Sequence, residues 1–314
     1  MRALVTGAAG FIGSKLAGRL AELGNEVVGL DDLSDGSPEN LSAWPEVDLR
    51  RADLRDAAAV RDAARGCSVI FHLGAMRSVP RSMDMPGPTT DVNVMGTLNV
   101  LTAAFDRGAR VVFASSSSVY GDQARYPLVE TMDPAPRSPY AASKLAGEIY
   151  CRTWWRTFGV PTMSLRYFNV YGPGQDPYGE YAVVVPRFIL ACLSGERPVV
   201  HGDGRQSRDF TYVDDVVEAT ILAAHAPPDA YGEVFNIGGG KLPTSINDIL
   251  AIVAELTGTS PDPLWAPARP GDVRRTEADI SKARRLLGYS PSTPAPAGLS
   301  ATVEWFRTAE VTPR

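Results

Sequence analysis

The sequence is poor in the residues that hold metal ions and disulfide frameworks. Its 314 residues include three histidines and three cysteines, and Cys67, Cys151 and Cys192 are odd in number and widely spaced. Neither a disulfide framework nor a zinc site is therefore expected. We predict that the cysteines are packing residues and that the protein binds no metal.

The chain also lacks a strong charge of either sign and any long apolar run. It carries 31 basic and 36 acidic side chains, a net charge of −5, which gives no electrostatic reason to expect nucleic acid or an anionic membrane as a partner. No apolar run approaches the roughly 18 residues of a membrane helix. The first residues lead directly into a predicted strand, not a signal peptide. We therefore expect a cytoplasmic protein.

The first half of the sequence alternates regularly between predicted strands and helices. An apolar run over residues 3–5 precedes a glycine-rich turn, an amphipathic helix and a second strand over 26–30. Further strands are predicted at 69–73 and 110–114, and a long helix at 140–158. Repeated strand–helix units of this kind predict an α/β fold with a doubly wound, parallel sheet of the Rossmann type.

The glycine-rich turn after the first strand has the features of a dinucleotide site. Gly7, Gly10 and Gly13 follow a G-x-x-G-x-x-G spacing, which permits a tight turn and the approach of a pyrophosphate to the helix N-terminus. Asp31 ends the second strand, where a carboxylate would accept hydrogen bonds from the adenosine ribose. Because a carboxylate there would repel a 2′-phosphate, the unit predicts NAD rather than NADP.

Two further polar patterns follow later strands. Four serines, residues 115–118, come directly after a buried strand, where their hydroxyls either face a ligand or cap a polar turn. Tyr140 and Lys144 are four residues apart and so share one helix face. An ammonium beside a phenol favours the phenolate, so this pair predicts a base near neutral pH. Taken alone, the pair is also typical of any amphipathic helix.

As a set, these motifs resemble the extended short-chain dehydrogenase/reductase family, and within it the NAD-dependent nucleotide-sugar 4-epimerases of the UDP-galactose 4-epimerase group. Their order and spacing match the family, and further similarity at 166–173, 202–210 and 269–272 extends over almost the whole chain. The motifs are Gly7-x-x-Gly10-x-x-Gly13, Phe71-His72-Leu73-Gly74-Ala75, Ser116-x-x-x-Tyr120-Gly121 and Tyr140-x-x-x-Lys144.

The resemblance implies epimerisation at C4 of a UDP-sugar through a transient 4-keto sugar. Tyr140 would be the acid and base at the 4-hydroxyl, Ser116 would bind the same oxygen, and Lys144 would hold the nicotinamide ribose. With Lys144 and the positive nicotinamide ring nearby, we expect the pKa of Tyr140 to lie well below its ordinary value. The implied NAD-binding residues are Gly7, Gly10, Phe11, Ile12, Gly13, Asp31, Asp32, Asp53, Leu54, Leu73, Gly74, Ala75, Arg77, Asn93, Tyr140, Lys144 and Tyr167.

The resemblance also implies a set of residues that bind the UDP-sugar. Asn169, Arg208 and Arg269 would hold its pyrophosphate, for which arginine is well suited. The segment that ends at His201 resembles the part of the family that stacks on uracil. The full implied set is Ser116, Ser117, Ser118, Asn169, Val184, Arg187, Val200, His201, Arg208, Arg269, Asp272 and Thr276.

The two residues after Ser116 bear on the type of reaction. The related 4,6-dehydratases have an Asp-Glu pair there, and the uronate decarboxylases have Glu in the second place. This chain has Ser117 and Ser118, which cannot act as a carboxylate acid or base. Simple epimerisation is therefore favoured, and a 4,6-dehydratase or 4-ketoreductase of the same fold is the alternative. The presence of Ser116, Tyr140 and Lys144 argues against a non-catalytic regulator.

The sequence leaves the sugar open. The serine run resembles that of UDP-glucuronate 4-epimerases, whereas residues 175–187 look more like the UDP-glucose and UDP-N-acetylglucosamine enzymes. Thr276 falls where a bulky tyrosine restricts the pocket of UDP-galactose-only members, so a larger or charged substituent would be tolerated. We favour the glucose/galactose pair slightly over the uronates UDP-glucuronate and UDP-galacturonate.

The sequence also predicts a dimer and a division into two domains. The predicted helices at 92–106 and 140–158 carry apolar residues on more than one face; in the family these helices build a homodimer, and we expect the same here. The predicted domains are a NAD-binding domain over 1–169, to which 209–238 returns, and a nucleotide-sugar domain over 170–208 and 239–314.

Overall fold

A computed structural model describes residues 1–178, 183–268 and 273–309. The strands in this part of the chain are β1 (Arg2–Thr6), β2 (Glu26–Asp31), β3 (Asp48–Arg51), β4 (Val69–His72), β5 (Arg110–Ser116), β6 (Thr162–Tyr167), β7 (Val170–Tyr171), β8 (Val199–His201), β9 (Ser207–Arg208), β10 (Thr211–Tyr212), β11 (Glu233–Ile237), β12 (Thr244–Ser245) and β13 (Leu264–Ala266).

The helices lie mainly between these strands. A π-helical turn over Asp91–Met95 leads directly into the fifth helix, so the helix predicted at 92–106 is confirmed. The α-helices are α1 (Phe11–Glu22), α2 (Ala57–Ala63), α3 (Val79–Asp84), α4 (Pro86–Thr90), α5 (Gly96–Arg107), α6 (Pro139–Phe158), α7 (Val184–Ser194), α8 (Val213–Ala224), α9 (Ile246–Thr257), α10 (Ser281–Leu287) and α11 (Ala295–Thr308).

Seven of the strands form one parallel sheet in the order β11-β6-β5-β4-β1-β2-β3. The order reverses next to β1, which is the doubly wound Rossmann arrangement that the sequence predicts. One face of the sheet packs against α1, α8 and α10, and the other packs against α2, α5 and α6. Because the strands are parallel, their carboxyl ends lie at one edge, where ligands bind in such folds.

Local sequence explains why the long helix α6 forms where it does. The Ser138 hydroxyl accepts a hydrogen bond from the Ala141 amide at 3.1 Å, and Pro139 occupies the first turn, where it loses no hydrogen bond. Gly159 ends the helix with a φ of 70°, a conformation that favours glycine. The helix expected over 140–158 is therefore confirmed within one residue.

A third apolar cluster lies outside the main sheet and joins α7, α9 and α11. Within 209–238, only β11 joins the main sheet, whereas β10 pairs with β7 in a separate two-stranded sheet. The two-domain division stays a prediction. All three cysteines are buried. None of the described helices is long and apolar enough to cross a membrane.

Candidate active site

The carboxyl ends of β1, β2, β4 and β5 open into a cavity of about 390 Å³. Tyr140 and Lys144 of α6 line one part of the wall, and the acidic residues after β2 line another. Of the residues predicted to bind the cofactor, those that line this cavity are Gly7, Gly10, Phe11, Ile12, Gly13, Asp31, Asp32, Asp53, Leu54, Leu73, Gly74, Ala75, Arg77, Tyr140, Lys144 and Tyr167.

The glycine-rich turn leaves no room for side chains. A Cβ on Gly13 would lie 1.9 Å from the Gly7 carbonyl oxygen, and a Cβ on Gly7, whose φ is +70°, would lie 2.9 Å from the Gly74 Cα. No side chain caps the N-terminus of α1, where Gly10 is the N-cap. The first-turn amides are therefore left for an anionic group in the cavity, which is what a dinucleotide pyrophosphate requires.

Asp31 lies in the cavity wall and is 8% exposed. Its carboxylate accepts hydrogen bonds from the Ala9 amide at 2.9 Å and the Leu33 amide at 2.8 Å. Burial raises the pKa of this carboxyl, and the two amides oppose that effect. Asp31 therefore ties the glycine-rich turn to the end of β2, and its contact with a ribose stays a prediction.

An ion pair that the sequence analysis missed joins two walls of the cavity. The Arg81 Nη1 atom lies 3.1 Å from Asp35 Oδ1, which links α3 to the loop after β2. The partners are far apart in sequence, and no local pattern would have paired them. Further lining residues that were not predicted are Leu30, Ser34, Asp35, Gly36, Ala52, Arg55, Met76, Arg81, Met85, Pro88, Val92, Ala114 and Ser115.

Asn93 does not line the cavity, and its role as a cofactor ligand stays a prediction. Its side-chain oxygen accepts a hydrogen bond from the Met76 amide at 2.8 Å, and its amide nitrogen donates to the Met76 carbonyl at 3.1 Å and to the Ser143 hydroxyl at 2.9 Å. The buried amide therefore supports the loop after β4 from behind. Both of its polar atoms are already satisfied by the protein.

The pKa of Tyr140 is raised in the protein chain alone, whereas the lowering that we expect involves bound NAD and stays a prediction. Burial raises the pKa of the Tyr140 phenol, while the nearby Ser116 hydroxyl and the charge of Arg77 oppose this effect. The Lys144 ammonium donates to the Ala114 carbonyl at 2.7 Å. Burial lowers the pKa of Lys144 to about 8, so desolvation dominates at both groups.

His72, one strand away, does not compete for the role of base. Burial lowers its pKa to about 3, and its ring nitrogens lie 2.8 Å from the Thr6 hydroxyl and 3.0 Å from the Thr97 hydroxyl. The imidazole is therefore neutral and structural. Tyr140 is left as the group suited to proton transfer at this end of the cavity.

The serine run turns sharply at the end of β5. The Ser116 hydroxyl accepts a hydrogen bond from the Ser118 amide at 3.1 Å and donates to the Ser118 hydroxyl at 2.9 Å. Ser115 lines the cofactor cavity, and its hydroxyl donates to Glu148 at 2.5 Å. Ser116, Ser117 and Ser118 line neither this cavity nor the second one described below.

A second cavity, of about 270 Å³, lies beside the third apolar cluster. Five predicted substrate residues line it: Asn169, Val184, Arg187, His201 and Arg208. The wall also contains aromatic residues that were not predicted, namely Tyr171, Phe188 and Phe210. Phe210 is the nearest of them to His201 in the sequence and could have been found there. The residues in the wall that were missed are Val170, Tyr171, Val183, Val185, Phe188, Val199, Gln206, Phe210 and Ile246.

The remaining predicted substrate residues lie elsewhere. Val200 is fully buried and does not line the cavity, so its expected contact with substrate is not found. The Thr276 hydroxyl accepts a hydrogen bond from the Asn169 side chain at 2.9 Å. Thr276 therefore supports a residue that lines the second cavity and does not line it itself. Arg269 and Asp272 fall outside the described residues.

The glycine cradle, the helix N-terminus and the Ser116–Tyr140 pair define a dinucleotide-dependent enzyme site of the short-chain dehydrogenase/reductase type. Residues 3–238 match the family described as "NAD dependent epimerase/dehydratase". The chain belongs to this family. Its cofactor is NAD, and the residues of the first cavity fit that molecule.

Individual relatives agree with this assignment. The chain is 44% identical to UDP-glucose 4-epimerase from Mycolicibacterium smegmatis over 98% of this chain and 99% of that protein. It matches the UDP-glucose 4-epimerase of Thermotoga maritima, solved with UDP-glucose, with a TM-score of 0.93 at 38% identity over 98% and 99% of the two chains. A Bacillus cereus UDP-glucuronic acid 4-epimerase variant with NAD and a fluorinated substrate analogue gives a TM-score of 0.90 at 34% identity over 98% and 99%.

Proposed function

We propose that the protein catalyses NAD-dependent epimerisation at C4 of a UDP-sugar. The observation that carries this proposal is that Tyr140 and Lys144 line the cofactor cavity, while the two residues that follow Ser116 at the end of β5 are Ser117 and Ser118, which carry hydroxyls in place of carboxylates. A site with one proton-transfer group is suited to removing and returning a single proton. It lacks the second acid that an elimination requires.

The proposed mechanism assigns proton transfer to Tyr140 and hydrogen bonding of the same sugar oxygen to Ser116. When bound, NAD supplies the hydride acceptor and donor at C4, and its positively charged ring adds a cation beside the phenol. Tyr140 takes the 4-hydroxyl proton and later returns it, so the reaction has no net redox change. Arg77 lies close enough to lower the pKa of Tyr140, which favours the phenolate that the first step requires.

UDP-glucose and UDP-galactose are the substrate pair that we favour. The similarity of residues 175–187 to the glucose enzymes and the 44% identity to the M. smegmatis UDP-glucose 4-epimerase both support this choice. The uronates UDP-glucuronate and UDP-galacturonate are the second candidate, because Ser117 and Ser118 offer hydroxyls to a carboxylate. A 4,6-dehydratase is disfavoured by the same two residues.

The test is to incubate purified protein with UDP-glucose, UDP-glucuronate or UDP-N-acetylglucosamine without added NAD. Epimerised product from one of them is the expected result. No conversion of any sugar, or a product that has lost water, contradicts the proposal. If both hexose and uronate react, Ser117→Ala separates them: uronate binding through this hydroxyl predicts that kcat/KM falls for UDP-glucuronate and is unchanged for UDP-glucose.

We also propose that two copies of the chain associate through α5 and α6. Met95, Phe105, Ile149 and Phe158 are between 48% and 58% exposed on these helices and the turn before α5, and the rings of Phe105 and Phe158 are 5.6 Å apart. Light scattering after size exclusion should give a dimer. Ile149→Glu should give a monomer, and Leu242→Glu, at an exposed position on another surface, should not.

A further inference from the structure

A buried ion pair lies behind the proton-transfer site. Glu148 of α6 and Arg166 of β6 have side chains that are 4% and 3% exposed. Arg166 donates twice to the carboxylate, through Nε at 2.8 Å and Nη2 at 2.7 Å. The Ser115 hydroxyl of β5 donates to the same carboxylate. One side chain of α6 is thus fastened to the carboxyl ends of two neighbouring strands.

Glu148 lies on the same helix as the predicted catalytic residues Tyr140 and Lys144, one turn beyond Lys144. Tyr140, Lys144 and Glu148 are spaced by four residues along α6, so they lie near one face on successive turns. Lys144 donates to the backbone of Ala114, and Glu148 accepts from Ser115. The next residue of β5 is Ser116, which is predicted to bind the same sugar oxygen as Tyr140. Two turns of α6 are therefore fixed to β5 directly beside the predicted catalytic residues.

Fold stability alone is a weak explanation for this arrangement. The Arg166 Nη1 atom is buried without a hydrogen-bond partner among the described residues, and the guanidinium stacks on Tyr120 with its carbon 4.5 Å from the ring centroid. A buried ion pair with an unsatisfied donor stabilises a fold no better than apolar residues of similar volume. What an apolar pair would not supply is the directed contact with Ser115.

We propose that Glu148 and Arg166 are positioning residues, which hold α6 against β5 and so fix the position of Tyr140 relative to Ser116. The inference rests on the proposed function for its effect on catalysis. It predicts that loss of the pair lowers kcat and leaves KM and the fold unchanged, because neither side chain lines the cavities.

The first test is the double variant Glu148→Leu/Arg166→Met, which replaces the pair by apolar groups of similar size. We expect the melting temperature to stay close to that of the wild type while kcat falls by about tenfold or more, since small displacements of reacting groups have effects of this order. A double variant with wild-type kcat overturns the proposal.

Single variants keep the proposal testable if the double variant does not fold. Glu148→Gln retains an acceptor for the Ser115 hydroxyl, so its kcat should lie between those of the wild type and Ser115→Ala. The control is Lys282→Met, which removes the ion pair with Glu233 at 2.6 Å on α10, and it should keep wild-type kcat. Equal losses in the control and in Glu148→Gln contradict a specific role.

A readout that does not need turnover separates this inference from the proposed function. Hydrogen–deuterium exchange of the Glu148→Gln protein should rise in peptides that cover 114–120 and 138–147 and nowhere else in the sheet. Unchanged exchange there overturns the positioning role, even if no sugar is converted. Conversely, if the wild type converts none of the sugars but exchange rises as expected, only the proposed function fails.

Discussion

Gly147 sets how closely α6 approaches the sheet, and Gly147→Ala tests whether that distance matters for catalysis. A Cβ at this position would lie 2.4 Å from Cζ of Phe113, about 1 Å less than the 3.4 Å at which ordinary contacts begin. Phe113 is 1% exposed and lies against His72 and Lys144. Because the ring cannot turn away, the helix must retreat by about 1 Å and carry Tyr140 with it.

Two opposing terms set the effect of Gly147→Ala on stability. Alanine gains about 1 kcal/mol over glycine inside a helix, and overpacking a core costs about 1–3 kcal/mol. The net loss in the free energy of unfolding should therefore be about 2 kcal/mol or less. By contrast, a displacement of about 1 Å at a reacting group lowers kcat by about 100-fold.

The assay measures kcat, KM and thermal unfolding of the variant saturated with NAD. The control is Gly18→Ala in α1, where a Cβ would lie 2.2 Å from Cε2 of Trp44, a residue that lines neither of the two cavities. The two variants share the same steric overlap in a helix, and only the first should lose kcat. A folded Gly147→Ala protein with kcat within about twofold of the wild type would refute the reasoning.

Three further predictions concern the cofactor cavity. Tyr140→Phe should lower kcat by about 10²–10⁴-fold and leave NAD bound, as measured by absorbance of the released cofactor; an active variant would exclude this tyrosine as the base. The pKa of Lys144 in the folded protein is about 8, so the NAD-free protein should lose this cation as pH rises through that value. Titration calorimetry should therefore give weaker NAD binding above pH 8, and Lys144→Met should remove this pH dependence. Asp35→Asn should raise the NAD dissociation rate by up to about fivefold, the range of an exposed ion pair, and remove its salt dependence; an unchanged rate would show that the Arg81 contact does not retain the cofactor.

Sequence patterns were sufficient to predict the elements whose structure depends on residues that are close together in the chain. The glycine turn and the ends of α6 follow from backbone conformation and capping within a few residues. The helices α7 and α11 were missed because neither has a side-chain cap, and Gly298 lowers the helical propensity of α11. These helices depend on packing in the third apolar cluster rather than on signals of their own.

Most of the residues that line the cofactor cavity could be predicted from the sequence, but the pKa shifts of its titratable groups could not. Tyr140 and Lys144 line the cofactor cavity, yet the direction of the Tyr140 pKa shift in the chain depends on burial, which spacing does not reveal. The contacts of Asn93 with Met76 and Ser143 could not be predicted, because these partners are brought together only by the fold. The same holds for the Glu148–Arg166 pair, whose members belong to different elements.

The four-residue spacing along α6 limits how this protein can change in length. Inserting or deleting one residue between Tyr140 and Glu148 would rotate one relative to the other by about 100°, so the two side chains could not both stay on the face of α6 that meets β5. At the opposite edge of the sheet, nothing lies within 4 Å of a Cβ on Gly108 or Gly159. Among natural variants of this chain, we therefore expect differences in length to collect at those turns and to be absent from the first three turns of α6.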